Sequence, residues 1–131
     1  MTPHFHALVW IDHREAKVFR FNAAEVEETT VRPHDRHVHV HHKANTIGSG
    51  HAAVDRDFLE RVVGSVSDAG AILIVGPGAA KAELAAYASE RYPQVSQRVA
   101  GVEAVDHPTD GELVALARKF FRAADRMQPV L

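Results

Sequence analysis

Hydrophobic and polar positions change their spacing several times along the chain, and each change marks an element. Residues 5 to 12 (FHALVWID) are β-prone, and the polar His13, Arg14 and Glu15 interrupt them. Alternation resumes from 16 to 21, which predicts a β-hairpin. Residues 26 to 32 interleave Val and Thr with charges up to Pro33, the pattern of a half-exposed third strand. Three antiparallel strands therefore open the fold.

From 33 to 53 no core periodicity is present, and a segment of about twenty such residues in a compact domain is expected to be functional or mobile. Val54, Phe58, Leu59, Val62, Val63 and Val66 then recur at helical spacing, with charges between them and Gly70 just beyond. The continuous run Ala71-Ile72-Leu73-Ile74-Val75, closed by Gly76-Pro77-Gly78, predicts a strand buried on both faces and placed at the centre of the sheet. Residues 80 to 91 are Ala-rich and end before Pro93, and 98 to 105 make a weaker strand in which Gly101 suits an edge. Thr109 and Glu112 have capping-box spacing ahead of a last helix whose inner stripe is Leu113, Leu116, Ala117, Phe120 and Ala124.

The order βββαβαβα, with helices between the later strands, implies right-handed crossovers in a parallel half-sheet joined to an antiparallel half. The fold class expected is α/β, a ribonuclease-H-like mixed five-stranded sheet with helices on both faces. No repeat or linker divides the 131 residues, so a single domain is expected over positions 1 to 131, with the irregular segment at about 34 to 53 as its mobile loop.

Composition narrows the function classes. No stretch approaches the roughly 18 apolar residues of a membrane span, cysteine is absent, and residues 1 to 4 do not read as a secretory signal. A soluble protein of the cytoplasm is the expectation. Fifteen Lys and Arg against seventeen Asp and Glu exclude the overall basic excess of a dedicated nucleic-acid binder, so any RNA contact must be a local patch. Histidine is the outlier: six of the ten lie between positions 34 and 51.

The run Ile72-Leu73-Ile74-Val75-Gly76-Pro77-Gly78-Ala79-Ala80-Lys81, read with this element order, resembles the central domain of archaeal and eukaryotic class-one peptide release factors and of Pelota. The likeness spans most of the chain and includes a small-residue loop just before the first helix. Free-standing bacterial relatives, the host-attachment or translational machinery protein group, share the length and the hairpin opening. In the release factors this loop carries a Gly-Gly-Gln tripeptide that promotes hydrolysis of peptidyl-tRNA; here the place holds Gly48-Ser49-Gly50-His51, and the glutamine is absent. Pelota also lacks the tripeptide and serves ribosome rescue. The resemblance thus implies a translation-associated module that docks on ribosome or tRNA without releasing peptide. Its contact residues would be Arg36, Lys43, Gly48, Ser49, Gly50, His51 and Arg56, with Arg61 nearby.

Other chemistries compete for the same residues. If extended, His37, His39 and His41 share one strand face at a spacing of about 6.6 Å, a partial ligand set for Zn or Ni; a stable site needs three or four ligands, and no cofactor is the expectation. The same histidines with Arg32, Arg36 and Lys43 also read as a dilute RNA-facing patch. His51 is a candidate general base if the protein is instead an RNA ester or phosphodiester hydrolase with a His-bound metal, and a metal- or pH-responsive protein is a third reading. Gly76, Gly78 and Lys81 lie where open α/β sheets bind ligands and form a candidate anion site, or they only end the strand. Asp12, Asp57, Glu60 and Asp106 form the acidic set for a two-metal nuclease, but turn and helix-surface roles already account for each. The edge of the hairpin sheet offers a pairing surface to a second copy, a homodimer.

Overall fold

The computed structural model describes residues 5 to 22, 25 to 33 and 55 to 127, with the side chains of 124 to 127 left aside. Among the described residues, five strands and four helices follow in the order β1 (His6–Ile11), β2 (Ala16–Phe21), β3 (Val26–Val31), α1 (Arg56–Ser65), β4 (Ala71–Gly76), α2 (Ala80–Arg91), α3 (Pro93–Ser96), β5 (Val99–Ala104) and α4 (Asp110–Met127). The sheet order is β3-β2-β1-β4-β5. β1 pairs antiparallel with β2 and parallel with β4, β2 pairs antiparallel with β3, and β4 pairs parallel with β5. The mixed α/β sheet with helices on both faces is the architecture expected.

Alternation assigns side chains to two cores. Ala7, Val9, Ile11, Ala16, Val18, Ile72 and Ile74 face α1, α2 and α3. Leu8, Trp10, Phe19, Phe21, Leu73 and Val75 face α4 through Leu113, Ala117 and Phe121. Trp10, Phe19, Phe21 and Phe58 are core residues, as their periodicity indicates. The capping box forms: the Thr109 backbone amide donates to Glu112 Oε1 at 2.8 Å, and the Glu112 amide donates to Thr109 Oγ1 at 3.1 Å.

Three expectations need correction. The middle strand is β1, not β4. An apolar run reports burial on both faces, which β1 and β4 share; it does not report rank in the sheet. The β3-β2-β1 meander leaves one edge of β1 open, and β4 fills it. Second, the chain turns into the short helix α3 after α2, because Pro93 both ends α2 and suits a first helical position. Tyr92 between them has φ −139° and ψ 67°, outside the α region that a following proline disfavours. Third, Phe121 rather than Phe120 is the more deeply buried ring on α4. Phe120 instead covers the edge strand at Gly101, where an added Cβ would stand 3.3 Å from both its Cζ and Leu73 Cδ1.

Gly76 sets how closely β1 and β4 approach at their carboxyl ends. A Cβ there would lie 2.2 Å from the Ile11 carbonyl oxygen, which is backbone and cannot swing aside. Gly64 in α1 is the contrast, since its Cβ would meet nothing within 4 Å. Gly76→Ala is expected to destabilise the fold by about 3 kcal/mol, the upper end of overpacking costs, whereas Gly64→Ala should stabilise it by up to about 1 kcal/mol through helix propensity. Urea unfolding midpoints of the two variants check the opposite signs.

Candidate functional site at the carboxyl end of the sheet

β1, β3, β4 and β5 all point the same way, so their carboxyl ends gather at one end of the molecule. This is the end at which open α/β sheets present ligand sites, because loops there are free of strand pairing. The β1–β2 turn is built by Asp12, whose Oδ1 accepts from the amides of Arg14 at 2.8 Å and Glu15 at 3.0 Å. Its other oxygen lies 3.9 Å from His107 Nε2, while His13 Nε2 lies 3.9 Å from Glu83 Oε2 on α2. Trp10 Nε1 donates to the Asp106 carbonyl at 2.9 Å and ties the segment after β5 down over β1. The His107 ring rests against the Trp10 indole, with centroids 5.3 Å apart.

The residues flanking positions 34 to 54 are held at this same end. Arg32, just past β3, reaches Glu15 at 3.2 Å. Arg61 on α1 donates through Nη2 to the Arg32 carbonyl, and its Nε pairs with Asp57 Oδ2 at 3.2 Å. Asp55 caps α1 by accepting from the Asp57 amide at 3.3 Å. One arginine thus joins the exit from β3 to the entry of α1.

On the α4 face, Lys17 Nζ bonds Asp110 Oδ1 at 3.0 Å and lies 5.9 Å from the Trp10 ring centroid. That bond holds the Asp110 carboxyl below, and the Lys17 ammonium above, its ordinary range. Desolvation, then a hydrogen bond to Asp110, pushes the neighbouring Glu28 carboxyl up.

The sequence-predicted residues separate accordingly. Arg36, Lys43, Gly48, Ser49, Gly50 and His51, together with His37, His39 and His41, lie outside the described residues. Gly76, Gly78 and Lys81 come together in the turn from β4 to α2, where Lys81 Nζ donates to the Gly78 carbonyl at 2.6 Å. A shallow depression of about 180 Å³ adjoins them, lined by Pro77, Ala104, Val105 and Asp106. A larger cleft, about 520 Å³, is at the opposite end of the sheet, where Arg20 lies over the Phe5 ring and 3.6 Å from Asp68; none of the predicted site residues lines it. Asp12, Asp57, Glu60 and Asp106 do not converge: among the described residues no three His, Asp or Glu side chains form a metal-holding group.

Arg56, the first residue of α1, is exposed and lies over the Tyr87 ring at 5.7 Å. It borders a cluster that periodicity did not reveal. The Glu60 carboxylate accepts from both the Tyr87 and the Tyr92 hydroxyl, joining α1 to α2 and to the start of α3. Arg91 stands over the same Tyr87 ring at 5.8 Å. The available signal was two i,i+4 pairs, Arg56 with Glu60 and Tyr87 with Arg91, each placing both partners on one helix face.

The hydrogen bonds from Tyr87, then from Tyr92, and the nearby Arg91 charge hold the Glu60 carboxyl below its usual range; the same bonds raise both phenols. A carboxyl whose folded value is depressed contributes stability that is complete above its unfolded value, about 4.3, and lost as pH falls through the lower folded one. The raised phenols contribute below about 10 and lose that contribution as pH rises through their folded values. Glu60→Gln should therefore flatten the acid limb of stability against pH, and Tyr87→Phe with Tyr92→Phe the alkaline limb. Urea midpoints measured across both limbs check each slope.

No family model matches the chain, and no curated protein matches it in sequence. Solved structures match it in fold. The chain superimposes on Pelota of Archaeoglobus fulgidus with a TM-score of 0.62 at 16% identity, covering 90% of this chain and 32% of that one. It matches Pelota of Thermoplasma acidophilum at 0.59 and 18% identity, covering 89% and 33%. It matches the archaeal translation termination factor aRF1 at 0.52 and 11% identity, covering 93% and 39%. The chain spans about a third of the length of the Pelota structures it matches, and at these identities the likeness is one of fold: a ribonuclease-H-like sheet shared with proteins of the Pelota and release-factor kind.

Proposed function

We propose that the protein is a translation-associated binding module of the cytoplasm that contacts ribosome or tRNA through the region from Arg36 to Arg56, without peptide-release activity. The observation that carries this reading is the fold likeness to Pelota over nine-tenths of the chain, shared with a translation termination factor. Two features support the choice of region. Its flanking residues are fastened at the carboxyl end of the sheet through Arg32, Arg61 and Asp55. Its sequence combines Arg36, Lys43 and Arg56 with Gly48-Ser49-Gly50-His51, a cationic and sterically open stretch suited to a phosphate-lined groove.

Release chemistry needs a group that positions water at the ester of peptidyl-tRNA. The corresponding tripeptide glutamine of the release factors is absent here, and the imidazole of His51 stands in its place. The module therefore binds rather than hydrolyses.

Co-sedimentation with ribosomes tests this directly. The wild-type chain is expected to pellet with ribosomes at low salt, and Lys43→Ala with His51→Ala to weaken pelleting severalfold without a change in thermal midpoint. Labelled peptidyl-tRNA on the same ribosomes should remain intact. Failure to pellet at any salt concentration, or release of the peptide, contradicts the reading.

A further inference from the structure

The α1–α2 face carries a second feature, which shares Arg56 with the proposed contact region and adds Arg91 on α2. Arg56 and Arg91 approach the same Tyr87 ring, their guanidinium carbons 5.7 Å and 5.8 Å from its centroid. Both arginines are exposed while the tyrosine between them is buried at 6% exposure. The Tyr87 hydroxyl donates to Glu60, which is held in turn by the Tyr92 hydroxyl, so the ring is tethered at its oxygen. Among the described residues neither guanidinium takes part in a hydrogen bond or a close ion pair. The neighbouring cation on α1, Arg61, is by contrast already committed to Asp57 and to the Arg32 carbonyl.

The chemistry of such a pair is specific. A guanidinium laid on an aromatic ring loses rotamer freedom but keeps its N–H fork pointing outward, and that fork matches phosphate oxygens. The one carboxylate in the cluster, Glu60, has an oxygen engaged by each phenol. With Glu60 ionised the cluster carries two positive charges against one negative. Asp55 and Asp57 flank Arg56 in the chain and Glu90 precedes Arg91, so it is the outward N–H forks of the two arginines, rather than a broad positive field, that suit an anion.

We propose that Arg56 and Arg91, braced on Tyr87, form a two-armed clamp for the phosphodiester backbone of RNA. The proposal rests on the translation-associated reading and extends it to a surface that does not include the glycine-bearing segment. It predicts backbone contact without base selection, because both arms offer charge and donors rather than a shaped pocket.

The test uses the full chain and a fluorescein-labelled single-stranded RNA oligonucleotide, with ribosome pelleting run in parallel. Arg56→Gln with Arg91→Gln is expected to weaken oligonucleotide binding roughly tenfold at low salt and to reduce the slope of log affinity against log salt by about 1.4, two phosphate contacts at about 0.7 each. Arg56→Lys should fall between the wild type and Arg56→Gln. Thermal midpoints of the arginine variants confirm that they fold. Binding and slope unchanged in the double variant overturn the clamp. Ribosome pelleting that depends on the two arginines while no RNA oligonucleotide is bound also overturns it, in favour of an acidic protein surface. RNA binding with the expected slope but no ribosome pelleting supports the clamp and defeats the ribosome reading instead, so the two failures are distinguishable.

Discussion

Everything in this fold depends on β1 being satisfied on four sides at once. Its two edges are paired, antiparallel to β2 and parallel to β4, and its two faces are buried, against α1 and α2 on one side and α4 on the other. Ala7, Leu8, Val9 and Ile11 are each fully buried, and Trp10 is 3% exposed. A strand so placed must have apolar residues on both faces and a backbone partner for each of its polar groups. The antiparallel and parallel halves can join only where such a strand exists. Because β4 closes against β1 as tightly as Gly76 and Ile11 allow, the carboxyl ends of the two strands become a fixed frame. The β1–β2 turn, the start of α2 and the segment after β5 are all attached to it.

That frame explains the polar contacts that tie distant parts of the chain together at this end of the molecule. Asp12 shapes the turn, Trp10 anchors the backbone at Asp106, and Lys17 with Asp110 fastens the start of α4. Arg32 and Arg61 bring the end of β3 and α1 to the same place. The α1–α2 seam is fastened separately, by a carboxylate between two phenols. In each case a polar group sets the direction of a segment whose stability comes from apolar packing.

Much of this was legible in the sequence for a simple reason: period-two and period-3.6 patterns report which residues are buried, and burial decides the elements. The hairpin, the edge character of Gly101 and the capping box of Thr109 with Glu112 follow from such local rules. What could not be read depends on partners distant in the chain. The rank of β1 over β4 is a matter of pairing between equally apolar strands, and the choice of Phe121 over Phe120 is a matter of helix rotation against β1 and β4. The Glu60 latch needs residues 27 and 32 positions apart, which no window of periodicity spans. Of the candidate site, the sequence identified the residue types, and the structure adds where the residues flanking 34 to 54 are fastened. It also places Arg56 at the start of α1 over Tyr87, and Gly76, Gly78 and Lys81 around the turn between β4 and α2.

The proposed function is directional: it has RNA met by the region from Arg36 to Arg56, with Arg91 beside it, and not by the cleft beside Arg20 and Asp68. Site-specific photo-crosslinking addresses this most directly, with one crosslinker at position 43 and another at position 68, where Asp68 marks the opposite end beside Arg20. On ribosomes bearing tRNA, the account predicts RNA crosslinks from position 43 and none above background from position 68. Equal labelling from both positions, or labelling from position 68 alone, would contradict it.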